Sequence, residues 1–261
     1  MSDPVWFIDF GNTRLKASHS DDEEPRRVAA TSREAVETRN ELFLSQWLSA
    51  LAGRRPVRRV IAALARPGDG ELVAPLLERF APGATLEPIT PAHLAPGRVL
   101  YTSGQPGPDR IANVLALRGA APGRWGVAID CGTATTLTVA NPAGDLAGGA
   151  ILPGLRTLAR SLHRETGGRL PEIDPFKAPF PPAGLGNSTV GAIESGVLLG
   201  HAGAIEKVLQ SIQSEIGEPL GCILATGGAA PKVLPLMQGW AARLEPTLTM
   251  DGLRCLWKKA G

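Results

Sequence analysis

The apolar positions of the chain fall into short solid runs and longer stretches with helical spacing, and two of the runs carry an Asp near their end. VWFIDF (5–10) reads as a buried strand and TRLKAS (13–18) as its returning partner, with Gly11 and Asn12 in the turn between them. VAIDCGTATTLTVA (127–140) repeats the plan: an apolar run, Asp, any residue, Gly, a polar residue, a hydroxyl nearby, then more strand. Between the two copies, hydroxyls precede and Gly53 follows a helical run at 31–53, which predicts a helix or two. VRRVIAALA (57–65) reads as a short strand, GELVAPLLERFAPG (70–83) as a helix whose first turn Pro75 threatens to break, and TLEPIT as extended chain. PDRIANVLALRGAAPG (108–123) opens on Pro and Asp, closes on Gly, and sets Ile111, Val114, Leu115 and Leu117 on one helical face.

After the second Asp–Gly segment, DLAGGAILPG predicts further extended chain and a tight turn, and 155–166 a helix. Residues 167–188 are too rich in Pro and Gly for regular structure, and loops of that length usually serve a function or move. The stretch 189–217 predicts a long helical region interrupted by glycines, and LGCILATGG (220–228) a strand entering a glycine turn. GAAPGRWG reads as a linker, which divides the chain into 1–122 and 123–261. Each half then starts as strand, Asp, Gly turn, strand, and ends in helices. That is the signature of a duplicated α/β unit, with one doubly wound domain as the alternative.

Composition adds limits. A chain of 261 residues permits one large domain or two ordinary ones, and a 43% hydrophobic fraction suffices for a core. A net charge of +2 argues for no particular partner, and the basic run RRPVRR (54–59) reads as a solvated loop, with nucleic acid a remote option. Cys131, Cys222 and Cys255 have neither metal spacing nor an even count for a disulfide framework, so a reduced, cytoplasmic protein is expected. The first strand begins within a few residues of Met1, leaving no room for a signal peptide, and no apolar run is long enough to span a bilayer.

The Asp–Gly–hydroxyl turns carry the chemistry. A hairpin with Gly and Thr at its tip presents backbone N–H groups and hydroxyls to one point, which suits phosphate. The Asp just before the turn can hold a water of Mg²⁺, a cation that keeps much of its hydration shell. The same residues also make an ordinary hairpin, so either copy alone is weak. LATGGAA (224–230) adds a strand ending in Thr-Gly-Gly, where a flat ring can approach the backbone. The three segments, in this order, resemble the phosphate 1, phosphate 2 and adenosine motifs of the actin/hexokinase/Hsp70/acetate kinase superfamily. That resemblance implies two ribonuclease H-like domains with ATP in an interdomain cleft.

A fourth segment discriminates within that superfamily. In YTSGQPGPDRIANVLAL (101–117), Gly107, Asp109 and Arg110 lie in a Gly/Pro loop that opens a helix. Asp109 has the chemistry to accept a hydroxyl proton and Arg110 to hold another oxygen. Helix capping by Asp109 and a solvated Arg110 would explain the same pair. With DFGNT, GPDR, DCGTATT, GGAILPG, LHRETGGRLP, GNSTVGAIESG and ATGG in order over residues 8–228, the sequence resembles the type III pantothenate kinases and the related Bvg accessory factors.

The resemblance implies transfer of the ATP γ-phosphate to the 4′-hydroxyl of pantothenate, the first step of coenzyme A synthesis. By the same resemblance Asp109 is the general base, and Asp9 and Asp130 flank the phosphates and Mg²⁺. Gly11, Asn12 and Thr13 form one phosphate cradle, Gly132, Thr133 and Thr135 the other, and Gly227 and Gly228 the adenosine turn. Tyr101, Gly107, Arg110 and Thr189 line the pantothenate pocket of a homodimer that has no membrane or nucleic-acid partner. The glycine-bearing helices after residue 189 are the expected dimer elements. One position departs from the pattern: the second hairpin of the family often ends on a carboxylate where this chain has Thr138. That departure bears on the monovalent cation, K⁺ or NH₄⁺, on which the family's activity depends. His163 and His201 are expected at the surface or an interface, and Cys131 as a small buried filler. A regulatory or binding protein that kept the fold is the alternative function, but it has no need of a base beside an acceptor pocket. A sugar or acetate kinase is disfavoured because those chains are generally longer and lack this G-x-D-R.

Overall fold

The structure is a computed structural model that describes residues 3–21, 28–40, 44, 55–94, 99–101 and 103–258. It falls into two compact units, one of residues 1–120, 144–146 and 247–261, the other of 121–143 and 147–246. The chain passes from the first unit to the second beside the expected linker. Residues 247–261, however, group with the first unit, whereas the sequence reading set them in the second half.

In the first unit, β1 (Val5–Phe10), β2 (Arg14–His19), β3 (Ala29–Ser32), β4 (Arg59–Leu64) and β5 (Thr85–Pro88) form one sheet in the order β3-β2-β1-β4-β5. All six residues of β1 are buried, as a central strand covered on both faces requires. It pairs antiparallel with β2 and parallel with β4. The helices are α1 (Arg33–Glu37), α2 (Asp69–Phe80) and α3 (Pro108–Ala120). Pro75 lies inside α2 without breaking it. Proline removes one N–H from the ladder, but Val73 and Leu77 are buried on the same helix and hold it against the core. The helix expected over 31–53 is represented by α1; residues 41–43 and 45–54 lie outside the described residues. So do residues 22–27.

In the second unit, β6 (Gly126–Cys131), β7 (Ala134–Ala140), β8 (Leu146–Pro153), β9 (Cys222–Thr226) and β10 (Ala242–Leu244) give the sheet β10-β9-β6-β7-β8. Read from the other edge, this is the order of the first sheet. Here too the first strand pairs antiparallel with the second and parallel with the fourth. The duplication proposed from the two Asp–Gly segments is therefore a duplication of topology. The hairpins differ at their tips: Phe10 pairs Leu15, leaving residues 11–14 in the turn, while Cys131 pairs Thr135, leaving only 132–134.

The helices of the second unit are α4 (Leu155–Glu165), α5 (Thr189–Ile216) and the single turn α6 (Ala230–Val233). The glycines of 189–217 do not interrupt α5, which is one helix of 28 residues. Ser188 caps its start by accepting the N–H of Gly191, and Gly217 ends it with φ 74°. Ile193, Val197, Leu198, Ala202, Ile205 and Leu209 bury one stripe, and that packing offsets the roughly 1 kcal/mol by which each helical glycine lags alanine. Residues 167–188 contain no described helix or strand. The last helix, α7 (Leu248–Lys258), belongs to the first unit, where Arg254 Nη2 donates to Ser18 Oγ at 3.1 Å and to the His19 carbonyl at 3.0 Å. No helix among the described residues is long and apolar enough to cross a membrane.

Candidate active site

Strand β1 delivers Asp9 to the mouth of the first hairpin. Its cross-strand partner is Lys16, whose ammonium lies 3.3 Å from Asp9 Oδ2. Asp9 is 9% exposed, so it sits in an environment where a charge partner counts. Beyond it the tip turns through Gly11, Asn12 and Thr13, closed by the Gly11 N–H donating to the Arg14 carbonyl at 2.9 Å. Asn12 and Thr13 are exposed. Lys16 is a functional candidate the sequence reading missed; the signal was its place across the turn from Asp9.

The second hairpin sets Asp130 opposite Thr136 and closes with the Gly132 N–H on the Ala134 carbonyl at 3.0 Å. Thr133 is exposed at the tip. Its carbonyl is held from behind by the N–H of Gly154 at 3.0 Å and the hydroxyl of Thr157 at 2.7 Å, both at the start of α4. A side chain at either tip glycine would meet no protein atom closer than 3.6 Å at Gly11 or 3.4 Å at Gly132. What a bare backbone secures at these two positions is open approach from outside.

Thr135 does not stand with the tip. It is fully buried, and its hydroxyl bonds His201 Nε2 at 3.1 Å. His201 is itself 2% exposed, which corrects its expected place at the surface or an interface. The stripe of α5 that carries it also carries Leu198, Ala202 and Ile205, so the ring goes inward with them. Burial holds its pKa below the ordinary histidine value. His163 is half-buried, its Nδ1 2.7 Å from the Leu170 carbonyl. Cys131 is buried as expected, and burial, aided by the charge of Asp130, pushes its thiol up to about 12.

Strand β9 runs parallel to β6 and ends beside the second hairpin. Gly227 has φ +90°, and a Cβ there would come within 2.6 Å of both Asp130 Oδ1 and the Cys131 carbonyl. Gly228 is exposed and would meet nothing within 4 Å. The second unit thus joins Asp130, Gly132, Thr133 and the glycine turn, with one glycine filled by protein and the next open. Thr189 is exposed in the first turn of α5.

The first unit brings the remaining candidates together at the start of α3. Burial raises the pKa of Asp109, and the negative charge of Asp9 raises it further, while the N–H of Arg110 pulls it back. A Cβ on Gly107 would reach within 2.5 Å of Asp109 Oδ1, so glycine at 107 is what gives that carboxylate its room. Arg110 is buried, with its guanidinium 5.4 Å from the Tyr101 ring centroid. Asp109 lies half-buried in the first turn of α3, where its carboxylate also accepts the N–H of Arg110. It is a carboxylate of raised basicity beside a second carboxylate, with a buried cation as its chain neighbour. Among the described residues no three His, Cys, Asp or Glu side chains converge into a metal site. A Mg²⁺ at either hairpin would lean on one carboxylate, waters and phosphate oxygens, as that ion commonly does.

The family model of type III pantothenate kinases matches residues 5–211. A type III pantothenate kinase of Alkalilimnicola ehrlichii is 36% identical over 265 residues, spanning 99% of this chain and 100% of that protein. One from Acidiphilium cryptum is 33% identical over 264 residues, spanning 95% and 92%. Among solved structures, a Baf family protein from Campylobacter jejuni superposes with a TM-score of 0.58 at 16% identity, over 98% of each chain. A glucokinase from an Antarctic psychrotroph gives 0.51 at 13% identity, over 99% and 100%. Identities this low speak for the fold alone, which the chain shares with these two proteins. The chain belongs to the type III pantothenate kinase family.

Proposed function

We propose that this chain transfers the γ-phosphoryl group of ATP to the 4′-hydroxyl of pantothenate, the first step of coenzyme A biosynthesis. The observation that carries the reading is Asp109, whose basicity is raised by burial and by Asp9 where Arg110 and Tyr101 also meet. In the step, the hydroxyl oxygen forms a bond to Pγ as the bond from Pγ to the bridging oxygen breaks. The hydroxyl proton passes to Asp109, and ADP leaves. Little covalent work falls to the protein, so the other residues position and neutralise. The tip at Gly11, Asn12 and Thr13 and the tip at Gly132 and Thr133 each suit phosphate oxygens. Mg²⁺, when bound, would be held through its waters by a carboxylate such as Asp9 or Asp130, and would supply countercharge. Gly228 leaves room for the adenosine. A coupled assay of ADP release tests the reading: release that depends on pantothenate is expected, and an equal rate without it would refute it.

Arg110 holds the carboxylate or a hydroxyl of pantothenate. Arg110→Ala is expected to raise the KM for pantothenate far more than that for ATP, because unpairing a buried charged partner costs on the order of 2–5 kcal/mol. An unchanged pantothenate KM would return Arg110 to a purely structural role.

A monovalent cation, K⁺ or NH₄⁺, completes the proposal. Thr138, where the family resemblance leads one to expect a carboxylate, is fully buried on β7 opposite Ala128. A hydroxyl there is a weaker ligand than a carboxylate, so Thr138→Asp should reach half-maximal rate at lower K⁺. Superimposable K⁺ titrations at fixed ionic strength would remove this position from the cation site. A cytoplasmic homodimer is the proposed state. Leu185, Ile151, Val190 and Leu199 of the second unit are exposed apolar side chains that a partner would cover. Light scattering at the monomer mass would reject the dimer.

A further inference from the structure

Four consecutive backbone carbonyls at the first hairpin are held by two arginines. Arg33 donates through Nε to the Gly11 carbonyl at 2.8 Å, through Nη2 to that of Phe10 at 3.4 Å, and through its backbone N–H to that of Thr13 at 2.8 Å. Arg66 donates through Nη2 to the Asn12 carbonyl at 3.3 Å. Its Nε donates to the Asn12 side-chain oxygen at 3.0 Å.

Both arginines are themselves fixed. Arg33 is 4% exposed, lies over the Phe10 ring at 3.9 Å, and makes a fork onto Asp69, Nη1 to Oδ1 at 2.7 Å and Nη2 to Oδ2 at 2.9 Å. Asp69 Oδ2 also accepts the backbone N–H of Arg66 at 2.9 Å. Glu37 Oε1 lies 3.4 Å from Nη1 of each arginine. Asp69 neutralises Arg33, so Arg33 acts on the hairpin through geometry rather than as a countercharge.

In a trans peptide the C=O and the following N–H point in opposite directions. Holding the Gly11 carbonyl against Arg33 therefore aims the Asn12 N–H away from that guanidinium. The Asn12 side chain follows the same logic. With its oxygen held by Arg66, the NH₂ is the end left to donate outward.

We propose that Arg66, anchored with Arg33 through Asp69, is a positioning residue that orients Asn12 and the first hairpin for an ATP phosphate. The inference rests on the reading of this hairpin as a phosphate cradle. Arg66 acts through Asn12 and not by touching the nucleotide, so the two residues should not contribute independently.

The test is a double-mutant cycle of Asn12→Ala and Arg66→Ala, read as the KM for ATP, the KM for pantothenate and kcat. Each single variant is expected to raise the KM for ATP by about tenfold, the loss of one charge-assisted bond, with the KM for pantothenate nearly unchanged. The double variant is expected to be little worse than either single one, whereas independent contacts would multiply to about a hundredfold. Arg66 has a half-exposed side chain, so its truncation should leave the melting temperature nearly unchanged. Arg33→Lys keeps the charge but loses the fork, and should weaken ATP binding too; should it fail to fold, the Arg66 cycle still decides. A multiplicative double variant, or an unchanged ATP KM in Arg66→Ala beside a raised one in Asn12→Ala, would overturn the positioning role alone. An unchanged ATP KM in Asn12→Ala, in a chain that still phosphorylates pantothenate, would remove the hairpin from the ATP site and overturn both.

Discussion

Asp109→Asn is expected to lower kcat by about 10²–10⁴-fold and, at neutral pH, to raise the melting temperature. Asn keeps the shape and an accepting oxygen but cannot take the proton of the attacking hydroxyl. The gain in stability follows from linkage. Burial and Asp9 raise the pKa of Asp109 in the folded chain above the ordinary aspartate value of 3.8. Below that value the carboxyl is neutral in both states and folding carries no penalty. As pH rises through the folded pKa, the carboxyl must ionise in an unfavourable place, and above it the full penalty persists. Asn never ionises, so the gain should be present at pH 7 and fade toward pH 4. The same shift puts the acid limb of wild-type activity above the ordinary Asp range. Turnover within a fewfold of wild type would remove Asp109 as base, and a melting temperature lowered at pH 7 would contradict its raised pKa. A site selected for stability alone would not hold such a residue.

The second large effect belongs to the glycine turn. Gly227→Ala is expected to destabilise the chain by about 2 kcal/mol or more, from a left-handed backbone and overpacking together. Its methyl group would collide with the Asp130 carboxylate and the Cys131 carbonyl, so the displacement falls on the second hairpin and should weaken ATP as well. Gly228→Ala provides the contrast. Its φ is not in the left-handed region and its Cβ meets nothing, so the melting temperature should stay while the KM for ATP rises. Thermal denaturation and ATP titration of both variants separate protein crowding from ligand crowding. Equal melting temperatures for the two would contradict the packing described at Gly227.

Much of this was legible because it was local. The two hairpins announce themselves by a buried run, an Asp and a Gly within a few residues, and β1 and β6 fall where the apolar runs put them. Long-range packing was not legible. Glycines in 189–217 read as breaks, yet the buried stripe of α5 carries the helix through them, and the same stripe takes His201 inside. Residues 231–258 gave no helix or strand: β10 has three residues, and α7 is held by contacts such as Arg254 to Ser18, far away in the chain. The brace of Arg33, Arg66 and Asp69 joins residues with no shared local pattern, and only the folded chain brings them behind Asn12. The family resemblance put Thr135 in the cradle, but strand alternation turns it inward to His201.

With ATP labelled in its γ-phosphate, pantothenate and the purified chain, the label is predicted in phosphopantothenate, esterified at the 4′-hydroxyl and formed in step with ADP. In Asp109→Asn that product should fall by the factor given above. Label recovered only as inorganic phosphate, or phosphopantothenate formed at the wild-type rate by Asp109→Asn, would contradict transfer to pantothenate through Asp109.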